Sequence, residues 1–108
     1  MKIHRANNNK AMGNPVARYL LISSRDPFDS ADTNAYYELA AGLAREGNEV
    51  AVFLVQNGVL TARPGADAAL ETLTDANIPI RADSFSLQER GIPGDGLASG
   101  MQIGRAHV

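Results

Sequence analysis

The sequence predicts an α/β domain with a mostly parallel sheet, and three observations carry that prediction. Tyr19 to Ser23 and Glu49 to Gln56 are continuous apolar runs rich in β-branched and aromatic residues. They lack polar–apolar alternation, which is the pattern expected of strands buried on both faces of a parallel sheet. Between them, Tyr36, Leu39, Ala40 and Leu43 recur at helical spacing. A further strand-like segment, Ile78-Pro79-Ile80-Arg81-Ala82, follows a second helical stretch, so strands and helices alternate along the chain.

Each element has a local rationale. Asp29, Ser30 or Asp32 can cap the first helix, because their side-chain oxygens accept from the free N–H groups of its first turn. Gly47 permits the left-handed turn that ends it. Asn57-Gly58 breaks the second strand, and Arg63-Pro64-Gly65 reads as a loop. Ala66, Ala69, Leu70 and Leu73 define the second helix, and Asn77 terminates it. Pro79 sits near the start of the next strand, where a missing N–H is tolerated. Asp83 or Ser84 then caps a short helix running through Leu87 to Arg90 and stopped by Gly91. The predicted order is β-α-β-α-β-α with right-handed crossovers.

Both ends fall outside this pattern. Asn7-Asn8-Asn9-Lys10 is polar and Gly13-Asn14-Pro15 is turn chemistry, so residues 1–17 are expected to form a disordered leader. The domain is expected over 18–101. Ile103-Gly104-Arg105-Ala106-His107-Val108 is also what the nucleotides ATC GGA AGA GCA CAC GTC encode, the opening of a common short-read sequencing adapter. Residues 102–108 are therefore expected to be a non-native tail, with the domain left incomplete after the Gly-rich segment Gly94 to Gly100.

Charge and composition exclude several function classes. The net charge of −2 hides an asymmetry: the leader carries Lys2, Arg5 and Lys10 and no acid, whereas 18–101 carries six arginines and all 12 carboxylates. A body that acidic repels nucleic acid, and no basic face with interleaved aromatics is present. The longest apolar run, Val50 to Val55, is far short of the ~20 residues of a membrane span. No secretory signal pattern opens the chain, and a cytoplasmic location is expected.

In open α/β sheets ligands bind beyond the carboxyl ends of the strands. The candidate pocket there comprises Ser23, Arg25, Asp26, Asn57, Asp83 and Ser84. Asp26 and Asp83 facing each other would raise one carboxyl pKa and supply a general acid or base; the alternative is that each caps a turn or helix. Arg25, Arg63 and Arg81 could gather a small anion or stand apart in solvent. Ser23, Ser24 and Ser84 have no adjacent base to activate them. There is no phosphate-binding Walker A or GxGxxG pattern, the chain has no cysteine, and its two histidines, His4 and His107, lie outside the expected domain. No catalytic residue, cofactor or metal site is therefore expected.

From about Arg18 to Ile92 the chain resembles the DsrE/DsrF-like family of small sulfur-relay proteins. The resemblance is carried by the strand ending in Ser23-Ser24, the Asp26-Pro27-Phe28-Asp29 loop, and the helix from Asp32 to Gly47. Phe53-Leu54-Val55-Gln56-Asn57-Gly58-Val59 and Ser86-Leu87-Gln88-Glu89-Arg90-Gly91-Ile92 complete it. It implies a flavodoxin-like three-layer sandwich with a mostly parallel sheet of about five strands. It also implies assembly as a homo- or hetero-oligomer, a trimer or hexamer, and a further helix and strand beyond Gly100. Active members carry a persulfide on a cysteine at the end of the third strand, and this chain has Asp83 there with Ser84 beside it. Neither side chain can form the S–S bond. The expected function is that of a cysteine-less branch: a non-catalytic subunit, or a protein that binds a partner or a small anionic ligand. The alternatives are a persulfide carrier whose thiol lies in a missing C-terminal part, or a small-molecule enzyme using the strand-end carboxylates.

Overall fold

A computed structural model of the chain describes residues 2–8, 16–24 and 31–105. Five strands form one sheet, arranged in the order of the chain: β1 (Lys2–Asn8), β2 (Val16–Ser23), β3 (Glu49–Leu54), β4 (Ile80–Asp83) and β5 (Met101–Gly104). β1 runs antiparallel to β2, and β2 through β5 are parallel. The connections carry α1 (Ala31–Arg45), α2 (Ala68–Asp75) and α3 (Ser84–Glu89). A 3₁₀ helix, Gln56–Ala62, lies between β3 and α2.

Parallel strands laid down side by side with right-handed crossovers place all their helices on one face of the sheet. The burial pattern agrees. On β3, Val50, Val52 and Leu54 are buried, while Ala51 and Phe53 are half-buried and Glu49 is exposed. On β2, Ala17, Leu21 and Ser23 are buried but Leu20 is 38 % exposed. The strands are thus not buried on both faces, as their composition suggests. Leu20, Ile22, Ala51 and Phe53 make the runs continuously apolar, yet among the described residues they face a side without helices. The core lies on the other side, where Leu21, Val52, Leu54 and Ile80 meet Tyr37, Ala40, Leu70 and Leu73.

The first helix is where expected, but its inward face is rotated by one residue. Tyr37 and Ala40 are buried and Ala41 and Ala44 pack against the core, whereas Leu39 is 48 % exposed. Of the expected set Ala40 is buried and Leu43 packs against the core, and Tyr37, Ala41 and Ala44 complete the inward face at the same helical spacing. Asn77, at φ 61°, adopts the left-handed conformation that ends the α2 turn. The second helix starts later than the expected Ala66: Asp67, inside the expected span, caps α2 by accepting from the N–H groups of Ala69 and Leu70 at 3.1 and 3.2 Å.

Two segments near the chain ends differ from expectation, while residues 9–15 and 106–108 lie outside the described residues. Lys2–Asn8, read as part of a disordered leader, is strand β1, in register from Lys2↔Ile22 to Asn8↔Val16. Its sequence has little strand propensity beyond Ile3, which packs against the core; the edge of β2 supplies the pairing, and cross-strand context overrides propensity. Met101–Gly104, read as lying at and beyond the end of the pattern, pairs with β4 from Ile80↔Met101 to Asp83↔Gly104. A four-residue edge strand is too short to show a period in sequence.

Candidate functional site

Among the described residues, four polar or charged side chains are buried: Ser23, Thr61, Asp83 and Ser86. All four lie on the carboxyl ends of β2 and β4 or on the elements just beyond β3 and β4. The remainder of the core is apolar. A polar group out of water costs free energy unless bonded, so this concentration at one end marks the sheet's special surface.

Backbone contacts assemble the site. The Val55 N–H donates to the Ser23 carbonyl at 2.9 Å, tying the exit of β3 to the end of β2. The 3₁₀ helix then passes so close that a Cβ on Gly58 would lie 2.1 Å from the Ser23 carbonyl oxygen. Gln56 enters this helix at φ 51°, uncommon for a non-glycine residue. Its N–H donates to Ser86 Oγ at 2.8 Å. Ser86 Oγ–H in turn donates to Asp83 Oδ2 at 2.7 Å, and the Ser86 N–H donates to the same oxygen at 2.9 Å. Asp83 is thus the N-cap of α3, and its carboxylate is linked through Ser86 to the start of the 3₁₀ helix.

Among the described residues, two hydroxyls at this end meet no hydrogen-bond partner: Ser23 Oγ and Tyr37 Oη, both buried. Ser23 and Thr61 approach the phenol closely enough to perturb it, but neither meets it with hydrogen-bond geometry; the Thr61 hydroxyl instead donates to the Gly58 carbonyl at 2.6 Å. Burial pushes the Tyr37 phenol up from 10.0 to about 12, the Asp67 carboxylate adds to the rise, and the Ser23 and Thr61 hydroxyls oppose it. The unfolded phenol ionises first, so the stability this residue contributes is whole below pH 10 and declines as pH rises toward 12. Alkaline unfolding is expected to show a loss of roughly 2 kcal/mol across that interval. Tyr37→Phe should abolish this loss, and it should stabilise the protein by about 1 kcal/mol at pH 7 by removing a buried unbonded hydroxyl. An unchanged alkaline profile in the variant would refute the assignment.

The predicted pocket residues separate into distinct environments. Ser23 and Asp83 are buried at the strand ends, and Ser84, first residue of α3, is half-buried. Asn57 is exposed and accepts from Arg90 Nε at 3.1 Å. Arg25 and Asp26 lie outside the described residues, and with them the Asp26–Asp83 pairing. Arg63 and Arg81 are engaged separately: Arg63 Nε donates to the Leu60 carbonyl at 3.1 Å and Arg81 Nε to Gln102 Oε1 at 3.4 Å. Sequence reasoning missed Tyr37, Thr61 and Ser86 as polar members of the site. Ser86 was detectable, since it stands three residues after Asp83, where a capping side chain finds its N–H.

The chain is similar to the ychN protein from E. coli, at 23 % sequence identity and a TM-score of 0.70, over 80 % of this chain and 82 % of that one. This is a DsrE-like, flavodoxin-like α/β fold. A second DsrE-like neighbour is MTH1491 from Methanobacterium thermoautotrophicum, a protein of unknown function, at 20 % identity and a TM-score of 0.66, over 79 % of this chain and 78 % of that one. No family model matches the chain, and no curated protein matches it in sequence. Among the described residues, no group of three or more His, Cys, Asp or Glu could hold a metal ion, and no helix is long and apolar enough to cross a membrane. The DsrE-like fold thus accounts for the sheet and its helices, and the site's chemistry must be read from its own side chains.

Proposed function

We propose that this protein is a thiol-free, non-catalytic DsrE-like binding protein that holds a small hydrogen-bond-accepting ligand, an oxyanion by class, at the carboxyl ends of its strands. The observation that carries the reading is the pair of buried hydroxyls, on Ser23 and Tyr37, that meet no hydrogen-bond partner among the described residues. Native interiors rarely leave such groups unsatisfied, and orphaned donors at the ligand-binding end of an α/β sheet are suited to an acceptor that arrives from outside.

Two features argue against covalent chemistry at this place. None of the 108 residues is a cysteine, so the chain offers no atom on which a persulfide can form. Asp83, which resemblance aligns with the sulfur-carrying position, is buried and holds both the Ser86 N–H and hydroxyl. A carboxylate so engaged is a structural acceptor rather than a nucleophile.

Thermal unfolding with thiosulfate and phosphate as probes tests the reading, because a ligand that binds only the folded state raises its stability. Wild-type protein should gain stability with at least one probe. Ser23→Ala and Tyr37→Phe should lose that response while being as stable as wild type or more so without ligand, a combination a purely structural role would not produce. Asp83→Asn, which removes a like charge but keeps a capping oxygen, should strengthen the response. Failure of both probes to stabilise wild type, or equal responses in the two hydroxyl variants, would sink the proposal.

A further inference from the structure

The helices cover one face of the sheet, the side on which Leu21, Val52, Leu54 and Ile80 are buried. Among the described residues the other face carries no helix. Parallel sheets occur almost only with both faces covered, so this face needs an occupant. Strand register fixes what it presents. Leu20 stands beside Ala51 and Ile22 beside Phe53, with Arg81 on the other side of Phe53. A Cβ on Gly104 would lie 3.3 Å from Arg81 Cδ and 3.6 Å from Phe53 Cε2, so these two side chains extend to the same side. Glu49, two residues before Ala51, shares this face at its amino end and is held there by Arg18. Arg81 donates to Gln102 and, among the described residues, is in no salt bridge. The face is an apolar patch with an unneutralised cation at its side.

A surface that complements it lies on the same chain. The outward side of α1 carries Ala35, Glu38 and Leu39, all exposed. Glu38 is in no salt bridge among the described residues. One turn after Leu39 comes Gly42, where a Cβ would meet only the Arg45 guanidinium, at 3.8 Å. Packing inside the molecule does not call for glycine there, and glycine destabilises a helix interior relative to alanine. It does let another backbone approach closely. At 15 residues α1 is ~22 Å long, and the eight residues of β2 span ~26 Å, so the helix fits along the strands.

We infer that the helix-free face of one protomer receives α1 of a second copy, with Leu39 seated among Leu20, Ala51 and Phe53 and Glu38 paired with Arg81. Glu38 and Leu39 are adjacent on the helix, and Phe53 and Arg81 are adjacent on the sheet, about 5 Å apart. One docking therefore satisfies both the apolar contact and the charge pair. It covers the bare face and completes a helix–sheet–helix sandwich. The contact joins two different surfaces, so it is heterologous and propagates into a ring or a filament. Neither surface includes the Ser23 or Tyr37 hydroxyl, so assembly and the strand-end ligand response hold or fail separately.

Analytical ultracentrifugation of the whole chain tests this. Wild type should form species larger than a dimer as its concentration approaches about 1 mM, where even a millimolar contact registers. Leu39→Lys and Leu20→Glu, both at exposed positions, should each weaken assembly about thirtyfold or more while leaving the circular dichroism spectrum unchanged. Mixed in equal amounts, the two variants should form a heterodimer and nothing larger, because one keeps the sheet face and the other keeps the helix. Arg81→Glu should weaken assembly about fivefold, the size expected of an exposed charge pair, and Glu38→Arg in the same chain should restore it. Wild type that stays monomeric to that concentration would assign the face to some other occupant and overturn the inference. So would Leu39→Lys and Leu20→Glu proteins that assemble like wild type, or a mixture of the two that stays monomeric.

Discussion

Gly58→Ala is expected to destabilise the protein by about 3 kcal/mol, at the upper end of what overpacking a close contact costs. The added Cβ would stand 2.1 Å from the Ser23 carbonyl oxygen and 2.9 Å from its carbon. Both are backbone atoms, so no side chain can rotate away. The only relief is to lift the 3₁₀ helix from the end of β2. That movement would pull at the Val55 N–H···O=C Ser23 bond and at the Thr61 bond to the Gly58 carbonyl. Val59 and Ala62, fully buried on the same helix, would lose packing with it. Urea unfolding of the variant provides the check: a midpoint within experimental error of wild type would show that this close approach is not a constraint in solution.

Asp83→Ala is expected to cost about 3 kcal/mol, more than an ordinary exposed cap. The carboxylate is 7 % exposed and accepts two hydrogen bonds from Ser86. Alanine leaves a buried N–H and a buried hydroxyl without their charged acceptor. The damage should spread, because Ser86 Oγ is also the acceptor for the Gln56 N–H that starts the 3₁₀ helix. α3 has only six residues, too few to persist on intrinsic propensity. Denaturant unfolding combined with amide exchange at Gln56 and Ser86 distinguishes the outcomes. Faster exchange at Ser86 alone would confine Asp83 to capping; faster exchange at both would show the carboxylate coupling the two loops. A stability loss below about 1 kcal/mol would remove Asp83 from the network.

Much of the fold was legible wherever a local rule decides. Asp83 as a cap, Asn77 as a terminator and Gly47 after α1 each follow from the geometry a short segment needs, and each stands as read. The misreadings arise where a partner decides instead. Lys2–Asn8 has no reason of its own to be extended; the free edge of β2 gives it one. Leu39 looks like a core residue until Tyr37 and Ala41 occupy the inward face. The site was half legible. Ser23 and Asp83 could be placed from strand ends alone, but Tyr37 reaches that end from the middle of a helix, and Thr61 from a 3₁₀ run whose course depends on a glycine contact. Such convergence comes from packing between elements distant in sequence, which a single sequence does not display.

The simple order of the sheet carries a kinetic consequence. Among the described residues every strand pairs only with its neighbour in the chain, so none of them has to insert between two already joined. The sheet can therefore grow in the direction of synthesis, each βαβ unit adding to an edge that the previous one has just completed. Loop closure is then limited to one crossover at a time, which keeps the entropy cost of each step low. Assembly should proceed by successive additions from the β1–β2 pair outward, with β5 the last strand to dock.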